Sequence, residues 1–179
     1  MPEDKTEKAA AAPWQVPVAA DAVAETGQHF DLVADAAVRS ALARLAGLRD
    51  LPRLQASFDV SRRGAGGLHV AGTVSATVGQ NCVVTLEPLV NDVHEAVDLV
   101  FLPREPAAEP DEDAEPAEPK WKDPEPLIGG AVDLGVIAIE FLLLGLDPYP
   151  RKPGAVFEPL PDRKPDEGPF AALAKLAKN

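Results

Sequence analysis

Apolar and polar positions change period along this chain, and each change predicts an element. Leu32, Ala36, Leu42 and Leu45 recur at helical spacing within residues 31–46, with Arg39 and Arg44 between them. That spacing predicts a helix, begun by Asp31 as cap or first-turn acid and stopped at Gly47. The pattern then turns to alternation. Leu54, Ala56, Phe58 and Val60 alternate with Gln55, Ser57 and Asp59. A glycine-bearing turn occupies residues 62–67, and Leu68, Val70, Gly72, Val74, Ala76 and Val78 resume the alternation, with Thr73, Ser75 and Thr77 opposite. A further strand is predicted from Cys82 to about Glu87, and another from Val93 to Leu102. Upstream, the run from Trp14 to Val18 is a short alternating segment in which Pro17 removes one donor, as an edge strand tolerates.

Short links between these strands favour an antiparallel meander, since each parallel crossover needs about a dozen residues or more. One face is apolar and needs cover. The expected class is therefore α+β, a β-meander covered by helices. Twist leaves a second closure open, with the sheet curled toward a small barrel. A second helix is predicted near residues 134–146. Asp133 can cap it, and Leu134, Ile137, Phe141 and Leu144 form a stripe. From Val136 to Leu146 it is apolar nearly all round except for Glu140, which predicts deep burial. Glu140 must then reach solvent, pair with a base or shift its pKa, with a partner contact as the alternative. Gly145 and the run Asp147, Pro148, Tyr149, Pro150 end the helix. Residues 151–169 are proline-rich, and a short amphipathic helix is expected from Pro169 to Lys178, with Phe170, Leu173 and Leu176 on its apolar side.

Composition alters this picture in one stretch above all. Residues 104–126 hold nine acids, three bases and six prolines. Such a segment builds little core. It is expected as an insertion within one domain spanning residues 13–179, after a disordered tail at 1–12; the other reading is a joint between two units. The chain has 179 residues and a net charge of −12. That balance disfavours a binder coated in phosphate-seeking charge, and no DNA partner is expected. The tail carries charges of both signs and leads to no long apolar core, so no secretory leader is expected. The longest apolar run is too short to span a bilayer at roughly 20 residues, so no membrane partner is expected. A single cysteine, Cys82, rules out a disulfide within the chain and suits a reducing, cytoplasmic setting.

No catalytic motif is present: no G-x-S-x-G, phosphate-binding loop, dinucleotide fingerprint or H-E-x-x-H. No enzymatic activity, cofactor or metal is expected. Cys82 reads as a buried small apolar residue, with a nucleophile facing His94 across strands as the alternative. His29, His69 and His94 show no metal-ligand spacing. The basic residues are uneven. Arg39, Arg44, Arg49, Arg53, Arg62 and Arg63 share a span with only Asp50 and Asp59, and Arg151 and Lys152 begin a second cluster that includes Arg163 and Lys164. Guanidinium forks suit phosphate, so these are the candidates for contact with RNA or another partner. Few aromatics are available to stack bases.

Two stretches resemble a known family. The run from Gly72 through Gln80 and Cys82 to Thr85, Leu86, Glu87 and Pro88 is similar to the signature of the YceD-like proteins, the large ribosomal RNA subunit accumulation proteins. The run from Val132 through Asp133, Leu134 and Glu140 to Asp147, Pro148, Tyr149, Pro150 and onward to Gly154 resembles the second signature, in the form found in alphaproteobacteria. Val38 to Ala43 and Pro169 to Leu173 fit as well, so the resemblance covers roughly residues 14–176. It implies a bacterial cytoplasmic, non-enzymatic factor that supports synthesis, processing or stability of large-subunit (23S) ribosomal RNA. Such a factor would bind a precursor RNA, a ribosomal protein or an assembly protein. The alternative is an acidic adaptor that holds basic proteins without touching RNA. Many relatives carry further cysteines in a metal-ligand pattern. Here only Cys82 remains, so a zinc role is not carried over, and the C-terminal segment is expected to hold itself by proline stiffness and Tyr149 packing. Oligomeric state stays open.

Overall fold

The computed structural model describes residues 12–64, 66–103 and 124–157. The N-terminal tail to residue 11, the bulk of the acidic insertion (104–123) and the closing helix lie outside the described residues.

The elements run β1 (Pro17–Ala19), β2 (Gln28–Val33), α1 (Ala36–Leu45), β3 (Asp50–Arg63), β4 (Gly67–Asn81), β5 (Pro88–Pro103) and β6 (Glu125–Leu127). A single 3-10 turn, Ile128–Gly130, then leads into β7 (Ala131–Asp133) and α2 (Leu134–Leu144). The main sheet has the order β2-β3-β4-β5-β6 and β1 pairs with β7 apart from it. The first four strands form the expected antiparallel meander, while β6 joins β5 in parallel at Phe101 to Pro103. The sheet stays open, with β2 at one edge and β6 at the other, so the barrel alternative is set aside.

Alternation decides which face is buried. Leu54, Ala56, Phe58 and Val60 of β3 meet Leu68, Val70, Val74, Ala76 and Val78 of β4 in the core, together with Leu42 of α1 and Leu134, Ile137 and Leu142 of α2. Phe58 is fully buried, and its burial is worth about 2–3 kcal/mol. It needs room opposite. Gly72 is its cross-strand partner, and a Cβ there would collide with the Ser57 carbonyl and the Phe58 ring. The other face is polar: His29 reaches Asp59 at 2.7 Å, His69 reaches Asp98 at 2.6 Å, and Arg53 reaches Ser75 at 3.0 Å.

Several expectations are corrected. The helix predicted at 31–46 begins only at Ala36, and its cap is Asp35, whose carboxylate accepts the Val38 amide at 2.8 Å. Asp31 and Leu32 belong to β2, where Phe30 and Leu32 face inward and the period is two. The strand predicted from Cys82 to Glu87 is instead the turn between β4 and β5, because Leu86 sits at φ 61 and breaks extension. The second helix is not buried all round: Ile137, Ala138, Ile139 and Leu142 are covered, while Leu143 and Leu144 are exposed. Glu140 lies on that open side and is exposed, so it needs no partner. Finally, Tyr149 is exposed and Pro150 is the buried member of its pair.

Candidate functional site

The two signature stretches close on each other at one corner of the sheet. The turn after β4 is built around Cys82. The Cys82 amide donates to the Glu87 carbonyl at 2.8 Å, and the Leu86 amide donates back to the Cys82 carbonyl at 2.9 Å. The segment after α2 then crosses this turn. The Val83 amide donates to the Pro150 carbonyl at 2.9 Å, and the Gln80 side chain donates to the Asp147 carbonyl at 2.9 Å. The Asp147 carboxylate accepts the Tyr149 amide at 2.8 Å, which shapes the crossing segment. Lys152 completes the lock: its ammonium donates to Glu87 at 2.9 Å, and its backbone amide points at the Cys82 sulfur at 3.4 Å.

Cys82 is therefore the hub of the corner, and its side chain is buried. The Lys152 amide, the Thr85 hydroxyl and the Thr85 amide all favour the thiolate and bring the thiol pKa down to about 6, against the opposing effect of burial. Glu87 is held below the usual carboxylate range by its bonds from Lys152 and from the Thr85 hydroxyl. The donor set does not fit a zinc ion. Cys82 supplies the single thiolate, its sulfur already accepts two amides, and an ammonium–carboxylate pair stands beside it. Nor does the corner hold a nucleophile with its base: His94 faces Ser75, well along β5 from the turn.

Of the signature residues, the fold brings together Gln80, Cys82, Thr85, Leu86, Glu87 and Pro88 with Asp147, Pro148, Tyr149 and Pro150. Asp133 and Leu134 stand at the opposite end of α2. There the Asp133 carboxylate accepts the amides of Val16, Gly135 and Val136 at 2.8, 2.9 and 3.2 Å, as the expected cap and more. Val83, Leu86 and Tyr149 expose apolar surface around the corner, flanked by Arg151 and Lys152.

The basic island of residues 39–63 divides in space. Arg39, Arg44 and Arg49 line one groove of about 330 Å³ between α1 and the start of β3. Leu48 and Arg49 also border a second groove, of about 460 Å³, that runs to Gln80, Val83 and Asp147 at the corner. Those three arginines and the signature corner thus form one continuous surface. Arg49 pairs with Asp50 at 2.9 Å, and Arg39 donates to the Ala34 carbonyl. The others lie elsewhere. Arg53 is on the polar face of the sheet, near Asp92 at 3.7 Å. Arg62 clamps the loop before β2 through the carbonyls of Val23 and Asp21 at 2.7 and 2.9 Å. Arg63 ends β3, about 45 Å along the strand from Arg49. One residue of the corner escaped the sequence reading: Asn91, whose side chain donates to Gln80 at 2.9 Å. Its signal was a polar residue in phase with the inward-facing Val93 and Val97.

The described residues thus form an open α+β sheet with a thiol-centred corner. The sequence profile of the large ribosomal RNA subunit accumulation protein YceD matches residues 70–177, more than half of the chain, and the chain belongs to that family. The match begins within β4, yet β2 and β3 upstream are hydrogen-bonded into the same sheet. Neither the curated proteins nor the solved structures compared with it give a match. No helix among the described residues is long and apolar enough to cross a membrane.

Proposed function

We propose that this chain supports accumulation of large-subunit ribosomal RNA by binding a precursor RNA directly, in the cytoplasm, at the surface where the arginine groove meets the signature corner. The observation that carries this reading is the convergence of Arg39, Arg44 and Arg49 on one groove that continues to Gln80 and Asp147. Guanidinium groups so placed neutralise phosphates without reading sequence, which suits structured RNA more than stacked single strands. Arg151 and Lys152 follow Pro150, which lines the second groove. We read residues 13–179 as one domain with the acidic segment as an insertion, because β1 pairs with β7 and β3 with β4 across the start of the family match. The Asp-Pro-Tyr-Pro run at the corner, standing where many relatives carry cysteines, supports the alphaproteobacterial form.

The test compares the variant R39A/R44A/R49A with R63A. Removing one phosphate-binding side chain lowers the slope of log affinity against log salt by about 0.7–0.9. The triple variant should reduce the slope for a large-subunit RNA fragment by about 2, and R63A should leave it unchanged. Equal slopes for both variants would overturn the reading.

A further inference from the structure

The two long sides of the sheet differ in charge, and among the described residues one of them is largely unpaired. On the α1–β3 side stand the arginines. Across the sheet, β5, β6 and α2 carry Asp92, Glu95, Asp98, Glu125 and Glu140 and no lysine or arginine. β5 is paired with β4 along nearly its whole length, but its other side meets β6 only at Phe101 to Pro103. The bond from the Cys82 amide to the Glu87 carbonyl fixes the parity of the ladder. Glu87 and every second residue after it point their peptide groups at β4. Val90, Asp92, His94, Ala96 and Asp98 point theirs at the open edge. Among the described residues no strand takes them.

Neither a bulge nor a mid-strand proline defends this edge, and its charges, Asp92, Asp98 and the inward Glu95, are all acidic. The β4–β5 register runs without a bulge, and prolines stand only at the ends, Pro88 and Pro103. Beside the edge lies a groove of about 530 Å³ walled by Leu99, Phe101, Val136, Phe141 and Leu144, with Glu140 at its rim. We infer that the open edge of β5 receives an extended segment of a basic protein partner, added as a further strand in line with β6. Such a strand alternates. One set of its side chains would enter the groove against α2, and the other set would stand on the polar face beside Asp92 and Asp98. Lysine or arginine suits that second set. Glu95 faces inward on β5, so a wholly apolar strand is disfavoured and a basic residue near it is favoured. This inference is independent of the RNA reading, which uses the opposite side.

The experiment uses the full chain and two short peptides, one alternating lysine with valine, the other glutamate with valine. The lysine peptide should bind and should slow hydrogen exchange at the alternate amides of Val90, Asp92, His94, Ala96 and Asp98. Ala96→Pro removes an amide that points away from β4, so it should weaken the lysine peptide by about tenfold or more while leaving the thermal midpoint in place. Should that variant fail to fold, the pair D92K/D98K carries the test: it should reverse the preference toward the glutamate peptide. No binding, binding without protection at those amides, or an unchanged preference in the reversed variant would overturn the inference. So would protection already present in the free chain, which would mean that a second copy or the chain's own segment occupies the edge; sedimentation separates those two. The arginine variants that test RNA contact should leave peptide binding unchanged.

Discussion

Replacing Asp133 by alanine should cost far more than the loss of an ordinary helix cap. One carboxylate oxygen accepts three amides: Gly135 and Val136 in the first turn of α2, and Val16 ahead of β1. Losing the cap costs about 1 kcal/mol. The bond to Val16 is charge-assisted and partly buried, and its loss adds about 1.5–3 kcal/mol. The sum is about 3 kcal/mol, since both parts sit at one site and partial relaxation is shared. With a urea slope of about 2 kcal/mol per molar, the unfolding midpoint of D133A should fall by about 1.5 M. D133N keeps an acceptor oxygen in place and should lose less than about 0.5 M. Hydrogen exchange at the Val16 amide should rise sharply in D133A and little in D133N. A fall below about 0.5 M for D133A, or equal losses for both variants, would refute the view that this carboxylate ties β1 to α2.

The remaining predictions concern pH. The Cys82 thiol titrates near 6 in the folded chain and near 9 when free; its contribution is therefore full above about pH 9 and lost as pH falls through 6. The gap in urea midpoint between the wild type and C82A should widen from pH 5.5 to 8.5, and a constant gap would count against the amide and hydroxyl bonds to sulfur. Lys152→Met should destabilise at neutral pH and matter less in acid, because the lowered Glu87 carboxyl gives its stability above 4.5 and loses it as pH falls through its folded value; circular dichroism melts at pH 7 and pH 3.5 check this. His29 is raised above 6.5 by Asp59 and then Asp31, so its stabilisation is present below 6.5 and lost as pH rises through the folded value. Its imidazole shift, followed by NMR, should titrate above 6.5 and move back down in D59N.

The sequence made the two central strands legible because Leu54 to Val60 and Leu68 to Val78 alternate over long, uninterrupted runs. The acid at position 133 was equally plain as a cap. The first helix was drawn too early because Leu32 falls in helical phase with Ala36, although it is the last inward residue of a six-residue strand. A strand that short, with Val33 exposed at its end, has too few turns of either period to decide. The turn at 82–87 looked extended because its bend rests on Leu86 in the left-handed region, where glycine or asparagine is the usual sign. β6 was hidden by its length of three residues inside a proline-rich stretch. Of the site, the resemblance supplied the residues and their pairing was invisible: nothing local to Cys82 announces a bond to the amide of Lys152. Nor could charge counting show that six arginines within residues 39–63 part to several places, since residues one strand length apart in sequence end on opposite sides of the molecule.

The corner also fixes an order of events. The turn between β3 and β4 spans three residues, so that hairpin closes cheaply and early. Glu87 and Lys152 are 65 residues apart, and Cys82 and Lys152 are 70 apart. During synthesis the sheet is complete through β5 while the ligand of its own central thiol has yet to leave the ribosome. Until then the Cys82 sulfur lacks one of its two amides and Glu87 lacks its ammonium. A chain that stops short of Lys152 should therefore alkylate at Cys82 faster than the finished chain, which would make that reaction a clock for the last step of folding.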